Sequence, residues 1–125
     1  MKGLFLGSVT ERSGKSMIAL GLAMSGRGKV GYFKPFREVT MWRGDRVFDQ
    51  DAYLMKQALG LPWPEEELSP FVYDAQNPMA LDDIVDSCRR LQEGVDRMLI
   101  EGTREISTGC MGGLSGMMIA HALGA

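Results

Sequence analysis

The sequence predicts an α/β fold built on a parallel sheet, and three observations carry that prediction. Apolar runs of strand length alternate with helical patterns along the whole chain. A Gly/Ser/Thr-rich loop ending in Gly14-Lys15-Ser16 separates the first apolar run from the first helical one. Lys15, Lys34 and Glu101 all fall at or beyond the C-terminal ends of apolar runs, the edge at which open parallel sheets bind their ligands.

The first strand is Gly3-Leu4-Phe5-Leu6. Lys15 to about Ser25 is apolar almost all round, as in a helix packed on a sheet with other elements around it, and Gly26 and Gly28 end it. Lys29 to Phe36 reads as a second strand stopped by Pro35, which has no N–H for a ladder, so Lys34 stands at its C-terminal end. Arg37 to Gln50 is polar, mixed in charge and contains Gly44, so a loop is expected, long enough for a mobile lid, with Trp42 and Phe48 folded back onto the body. Asp51 then caps a helix to about Leu59, with Leu54, Met55, Ala58 and Leu59 on its apolar face and Gly60 as its stop. Leu61-Pro62-Trp63-Pro64 cannot extend it, and Glu65 to Gln76 reads as irregular with one short extended piece.

Asn77-Pro78 opens the clearest amphipathic helix. Leu81, Ile84, Val85, Cys88 and Leu91 recur at helical spacing, opposite Asp82, Asp83, Asp86, Arg89 and Arg90, which makes Cys88 a core residue rather than a nucleophile. Val95 to Ile100 is the third strand and delivers Glu101-Gly102 at its end. A loop from Thr103 to Leu114 leads to a last helix from Ser115 to Leu123.

Composition narrows the function. With 125 residues, 45% of them hydrophobic, the chain is expected to form one domain with a real core. Fourteen basic residues against sixteen acidic ones leave no basic field for nucleic acid. No apolar stretch approaches the roughly twenty residues of a membrane span, and no secretory signal is visible, so a cytoplasmic protein is expected. Cys88 and Cys110 lie apart without metal-ligand spacing and read as plain thiols, and Met17, Met24, Met55, Met117 and Met118 read as core filler.

Gly7 to Ser16, GSVTERSGKS, has the composition and context of a phosphate-binding P-loop. Backbone N–H groups of such a loop converge on an anion, aided by the positive end of the following helix. Thr10, Glu11, Arg12, Ser13, Gly14, Lys15 and Ser16 are the expected nucleotide-binding residues, with Lys15 on the terminal phosphates and the Ser16 hydroxyl on a magnesium ion. The common pattern G-x-x-x-x-G-K-[ST] would put its first glycine at position 9, which is Val9, so the loop here is G-x6-G-K-S. Lys34 is a second cation for phosphate or a solvated strand end. Asp51 is a metal ligand beside Ser16 and Glu101, or a plain helix cap.

The pieces T-E-R-S-G-K-S, G-Y-F-K-P, D-A-Y-L-M, E-L-S-P-F and L-I-E-G span nearly the whole chain in one order. In that order they resemble the dethiobiotin synthetase family of P-loop NTPases, and the similar domain of phosphotransacetylases and DRTGG-domain proteins. The resemblance implies a three-layer α/β/α fold binding ATP and Mg2+ through Lys15, Ser16, Asp51 and Glu101, with Lys34 beside the transferred phosphate, so that Lys15 and Lys34 are the catalytic candidates. The synthetases follow their glutamate with a Gly-Ala-Gly-Gly-like run, whereas Glu101 is followed by Gly102-Thr103-Arg104-Glu105, which points away from the synthetase substrate. Family domains run to about two hundred residues, so the sheet is expected to be truncated before a fourth strand and to be completed by a longer chain or by a second copy. Three functions follow from the resemblance: a magnesium-nucleotide-binding regulatory domain of the phosphotransacetylase-associated type, an ATP-dependent ligase acting on a small anionic substrate, or a non-catalytic assembly domain.

Overall fold

The computed structural model describes residues 2–10, 14–77, 79–103 and 105–125. Three strands, β1 (Lys2–Leu6), β2 (Val30–Phe33) and β5 (Arg97–Glu101), form a parallel sheet in the order β1-β5-β2. This places the third strand of the sheet between the other two, with Leu4 opposite Leu99 and Tyr32 opposite Leu99 on the other side. The helices α1 (Lys15–Ser25) and α2 (Gln50–Leu59) contact each other, as do α4 (Leu81–Leu91) and α5 (Gly116–Leu123). Successive strand residues alternate between faces. Glu101 therefore points toward Ser16 of α1, while at Gly3 a side chain would meet Ile100 and Ala125, just past α5.

Several boundaries follow the sequence closely. Helix α1 starts at Lys15 and ends at Ser25, and α4 buries Ile84, Ser87, Cys88 and Leu91 while its acidic and basic residues face outward. That amphipathic helix starts at Leu81, capped by Ala80, not at Asn77-Pro78; Pro78 lies outside the described residues. Ser115 caps α5, its hydroxyl accepting from Met118 N.

The expected lid from Arg37 to Gln50 is instead a β-hairpin, β3 (Thr40–Arg43) paired antiparallel with β4 (Arg46–Asp49). Gly44 takes φ +64° in the two-residue turn Gly44-Asp45, a conformation that favours glycine. Phe48 is buried and stacks on Tyr53, whereas Trp42 is 74% exposed, so only one of the two aromatics folds back. The hairpin is tied down by Arg46, which donates to Glu65 and Glu66 on α3 (Glu65–Leu68), a single helical turn inside the stretch read as irregular. Lys56 fixes the preceding turn by donating to the carbonyls of Leu61 and Trp63.

Helix α2 buries Ala52 and Met55, while Leu54 and Ala58 are exposed, so its apolar face is rotated from the expected one. The helix also starts earlier than expected: Asp49, not Asp51, is the cap, accepting from Asp51 N and Ala52 N. The methionines also depart from the core role expected of them. Met55 is buried, but Met17 is 78% exposed, and Met24, Met117 and Met118 are exposed as well.

Candidate functional site

The site is built at the C-terminal end of the sheet. Gly14 caps α1 in the left-handed region, φ +84°, with open space where a side chain would sit, so conformation rather than crowding calls for glycine. Lys15 follows at once, and its Nζ donates to Ser8 Oγ at 3.0 Å. The chain after β5 lies alongside, Ile106 N donating to Ser8 O at 2.7 Å. Between them is a cleft of about 380 Å³ lined by Leu6, Ser8, Thr10, Lys15, Ile18 and Ile106. Of the expected nucleotide-binding residues, Thr10, Gly14, Lys15 and Ser16 are placed here, and Glu11, Arg12 and Ser13 lie outside the described residues.

In the first turn of α1, the Ser16 hydroxyl donates to Glu101 Oε1 at 2.6 Å. Tyr32, on β2, donates to the other carboxylate oxygen, Oε2, at 2.5 Å. Strand register explains the meeting: Tyr32 pairs with Leu99, two residues before Glu101, and both point to the α1 face. Burial pushes the Glu101 carboxyl above its usual range, against the pull of its two hydroxyl donors, and the Asp51 charge pushes it further. Burial and then the Glu101 charge hold the Tyr32 phenol well above its usual range, so it stays protonated and remains the donor. Gly102 follows where a Cβ would lie 2.8 Å from the Phe5 ring, which lets the chain leave the sheet close to β1.

Lys34, next along the β2 chain, is 1% exposed and therefore not a solvated strand end. Its ammonium meets Asp51 Oδ2 at 2.7 Å, Asp49 at 3.2 Å and Glu38 at 3.3 Å. Burial alone would lower its pKa, but Asp49 and Asp51 outweigh it and hold the amine well above the usual lysine range. Asp49, fully buried, accepts from Lys34, from Glu38 N and from the first turn of α2, so it both caps the helix and positions Asp51. Lys34 and Asp51 also act on Glu101 through their charges, so Ser16, Lys34, Asp51 and Glu101 form one electrostatic neighbourhood, with Lys15 the residue before Ser16.

Among the described residues there, Glu38, Asp49, Asp51 and Glu101 surround the single ammonium of Lys34. The surplus fits a cation. Among the described residues no three His, Cys, Asp or Glu side chains converge as a ready metal cage. A hydroxyl and one or two carboxylates suit magnesium, which keeps several waters and takes phosphate oxygens as its remaining ligands.

A glycine-capped helix behind a strand, its first lysine over a cleft and its serine on a strand-end carboxylate, is the arrangement of a P-loop. A family model, AAA_26, described as an AAA domain, matches residues 2–125. The chain belongs to the AAA_26 family. This is a P-loop NTPase family related to dethiobiotin synthetase-like proteins, and membership makes the chain a nucleotide-binding domain.

Within this AAA_26 domain, sequence reasoning missed Tyr32, Glu38 and Asp49. Tyr32 and Asp49 carried weak signals, a tyrosine two residues before Lys34 and a second aspartate two before Asp51. A larger cavity, about 570 Å³, opens at the other end of the sheet between Val30, Leu61, Trp63, Leu91 and Val95. It is lined by none of Lys15, Ser16, Lys34, Asp51 or Glu101, whereas Lys15 lines the smaller cleft. No helix among the described residues is long and apolar enough to cross a membrane.

Proposed function

We propose that this AAA_26 domain binds ATP, or another nucleoside triphosphate, with Mg2+, and serves as a regulatory domain of the phosphotransacetylase-associated type in the cytoplasm. The observation that carries the reading is the 2.6 Å contact of Ser16 with Glu101 one residue after Lys15. Ser16, Glu101 and Asp51 would hold the cation, Lys15 the terminal phosphates, and Thr10, Glu11, Arg12, Ser13 and Gly14 the remaining phosphate oxygens. Bound magnesium supplies charge neutralisation on the phosphates. The regulatory reading draws support from Lys34, whose ammonium is enclosed by three carboxylates, and from Gly102-Thr103-Arg104-Glu105, which replaces the synthetases' glycine-rich run.

The proximity of Lys34 and Asp51 to Glu101 favours a second reading, an ATP-dependent ligase for a small anionic substrate, with Lys15 and Lys34 as its catalytic residues. ADP release that requires an added amine or acid would select it. A third, assembly-only role would be selected by the absence of any nucleotide binding. Exposed Leu4, Met17, Ile18 and Met117 on β1, α1 and α5 support a further proposal, that a second copy or more of a longer chain covers these surfaces.

Isothermal titration with ATP, GTP and ADP, with and without magnesium, tests the main reading. Lys15→Ala removes a charged contact to phosphate worth about 1.5–3 kcal/mol, so affinity should fall roughly 10- to 100-fold. Unchanged affinity in that variant would remove the phosphate role of the loop.

A further inference from the structure

We propose that Tyr32 is a positioning residue that aims the Glu101 carboxylate at the cation, an inference that rests on the magnesium-nucleotide reading above. Glu101 is held at both oxygens, by Ser16 from α1 and by Tyr32 from β2. The two holds are not equivalent. Ser16 is itself a candidate metal ligand, so its hydroxyl cannot go on serving only Glu101 once the site is filled. Tyr32 is not a ligand, and its bond to the far oxygen, Oε2, carries no such conflict.

The surroundings of the phenol point the same way. Tyr32 is 1% exposed within the apolar core that includes Phe33, Leu99 and Ala19. A phenylalanine would fill the same space without bringing a polar atom into the interior, and a buried hydroxyl is costly unless it is paired. Its only hydrogen bond among the described residues is to Glu101. The hydroxyl is therefore matched to that carboxylate rather than to packing. Partners of this kind fix the direction of a metal-binding carboxylate, and their loss typically costs 10- to 100-fold in metal affinity.

The test is Tyr32→Phe, which keeps the ring and removes the donor. ATP affinity is measured by titration calorimetry across a magnesium series for the wild type, Tyr32→Phe, Glu101→Gln and the double variant. The quantities read are the magnesium concentration at half effect and the magnesium-free affinity, neither of which depends on the fraction of protein that is folded. Tyr32→Phe should raise the magnesium concentration at half effect 10- to 100-fold and leave magnesium-free affinity unchanged. In the Glu101→Gln background the same substitution should add nothing. A half-effect concentration within twofold of the wild type, an equal loss without magnesium, or an equal shift in the Glu101→Gln background would overturn the role of Tyr32. A wild type whose binding ignores magnesium would overturn the parent reading and this role with it, whereas a magnesium-dependent wild type with an unaltered Phe variant sinks the Tyr32 role alone.

Discussion

Asp49 is where the stability of the hairpin, of α2 and of the Lys34 cluster can be perturbed together, and Asp49→Ala should be among the most destabilising single changes in the chain. The substitution removes the cap of α2, worth about 1 kcal/mol. It strands the partly buried Glu38 N–H, now bonded at 2.8 Å, for about 1 kcal/mol more. It also removes one of three carboxylates from a buried ammonium, a charge-assisted bond of about 1.5–3 kcal/mol. Asp51 and Glu38 stay on Lys34, which keeps that last loss below the cost of leaving a buried charge alone. The expected sum is about 4 kcal/mol. Asp49→Asn keeps an oxygen to accept from Asp51 N and Ala52 N but turns an amide toward Lys34 and the Glu38 N–H, so it saves the cap alone and should cost about 3 kcal/mol. Urea unfolding of the three proteins followed by circular dichroism measures both differences. A loss below about 1 kcal/mol for the alanine variant, or equal losses for the two, would mean that Asp49 neither caps the helix nor holds the lysine.

Two further predictions follow from burial and exposure. Cys88 is buried and its thiol is pushed up to about 11 by burial, while Cys110 is exposed; at pH 8 a thiol reagent should label one cysteine of the native chain quickly and the second only in denaturant. Because the folded value lies above the ordinary 9.0, the contribution of Cys88 to stability is present below pH 9 and is lost as pH rises through about 11, a decline that Cys88→Ala should flatten. If a second copy covers the exposed apolar surfaces of β1, α1 and α5, the chain should self-associate in sedimentation at micromolar concentration, and Met17→Lys with Met117→Lys should reduce that association; a wild type that sediments as a clean monomer would refute the second copy as the covering partner.

What could be read from the sequence was local. The bounds of α1 come from a glycine on either side, and the buried stripe of α4 repeats four times in one helix, so each is set by neighbours a few residues away. The hairpin was hidden because its strands are four residues long and the first is largely exposed, Thr40, Trp42 and Arg43 facing solvent, so no apolar alternation marks it. Gly44-Asp45 was the one turn signal. The exposed methionines show the reverse failure. Their apolar character was legible, but which side of a helix a sheet covers is a tertiary fact, and α1 spends its buried positions on Ala19 and Ala23, whose small side chains let the helix lie close to the strands.

The site divides along the same line. Gly14, Lys15 and Ser16 are consecutive residues at the start of α1 and were visible as a motif. Tyr32 and Glu101 are 69 residues apart and meet only because β2 and β5 pair in one particular register. A slip of one residue would turn Tyr32 to the opposite face and leave Glu101 with one donor. Asp49 and Asp51 show why residue type alone could not assign roles. Two aspartates flank the start of α2; the first is consumed by helix, hairpin and lysine, and only the second keeps partial exposure beside Lys34. An acid already saturated by donors has no lone pairs to give a cation, which is why the proposed magnesium site draws on Asp51 and Glu101, each with fewer donors than Asp49.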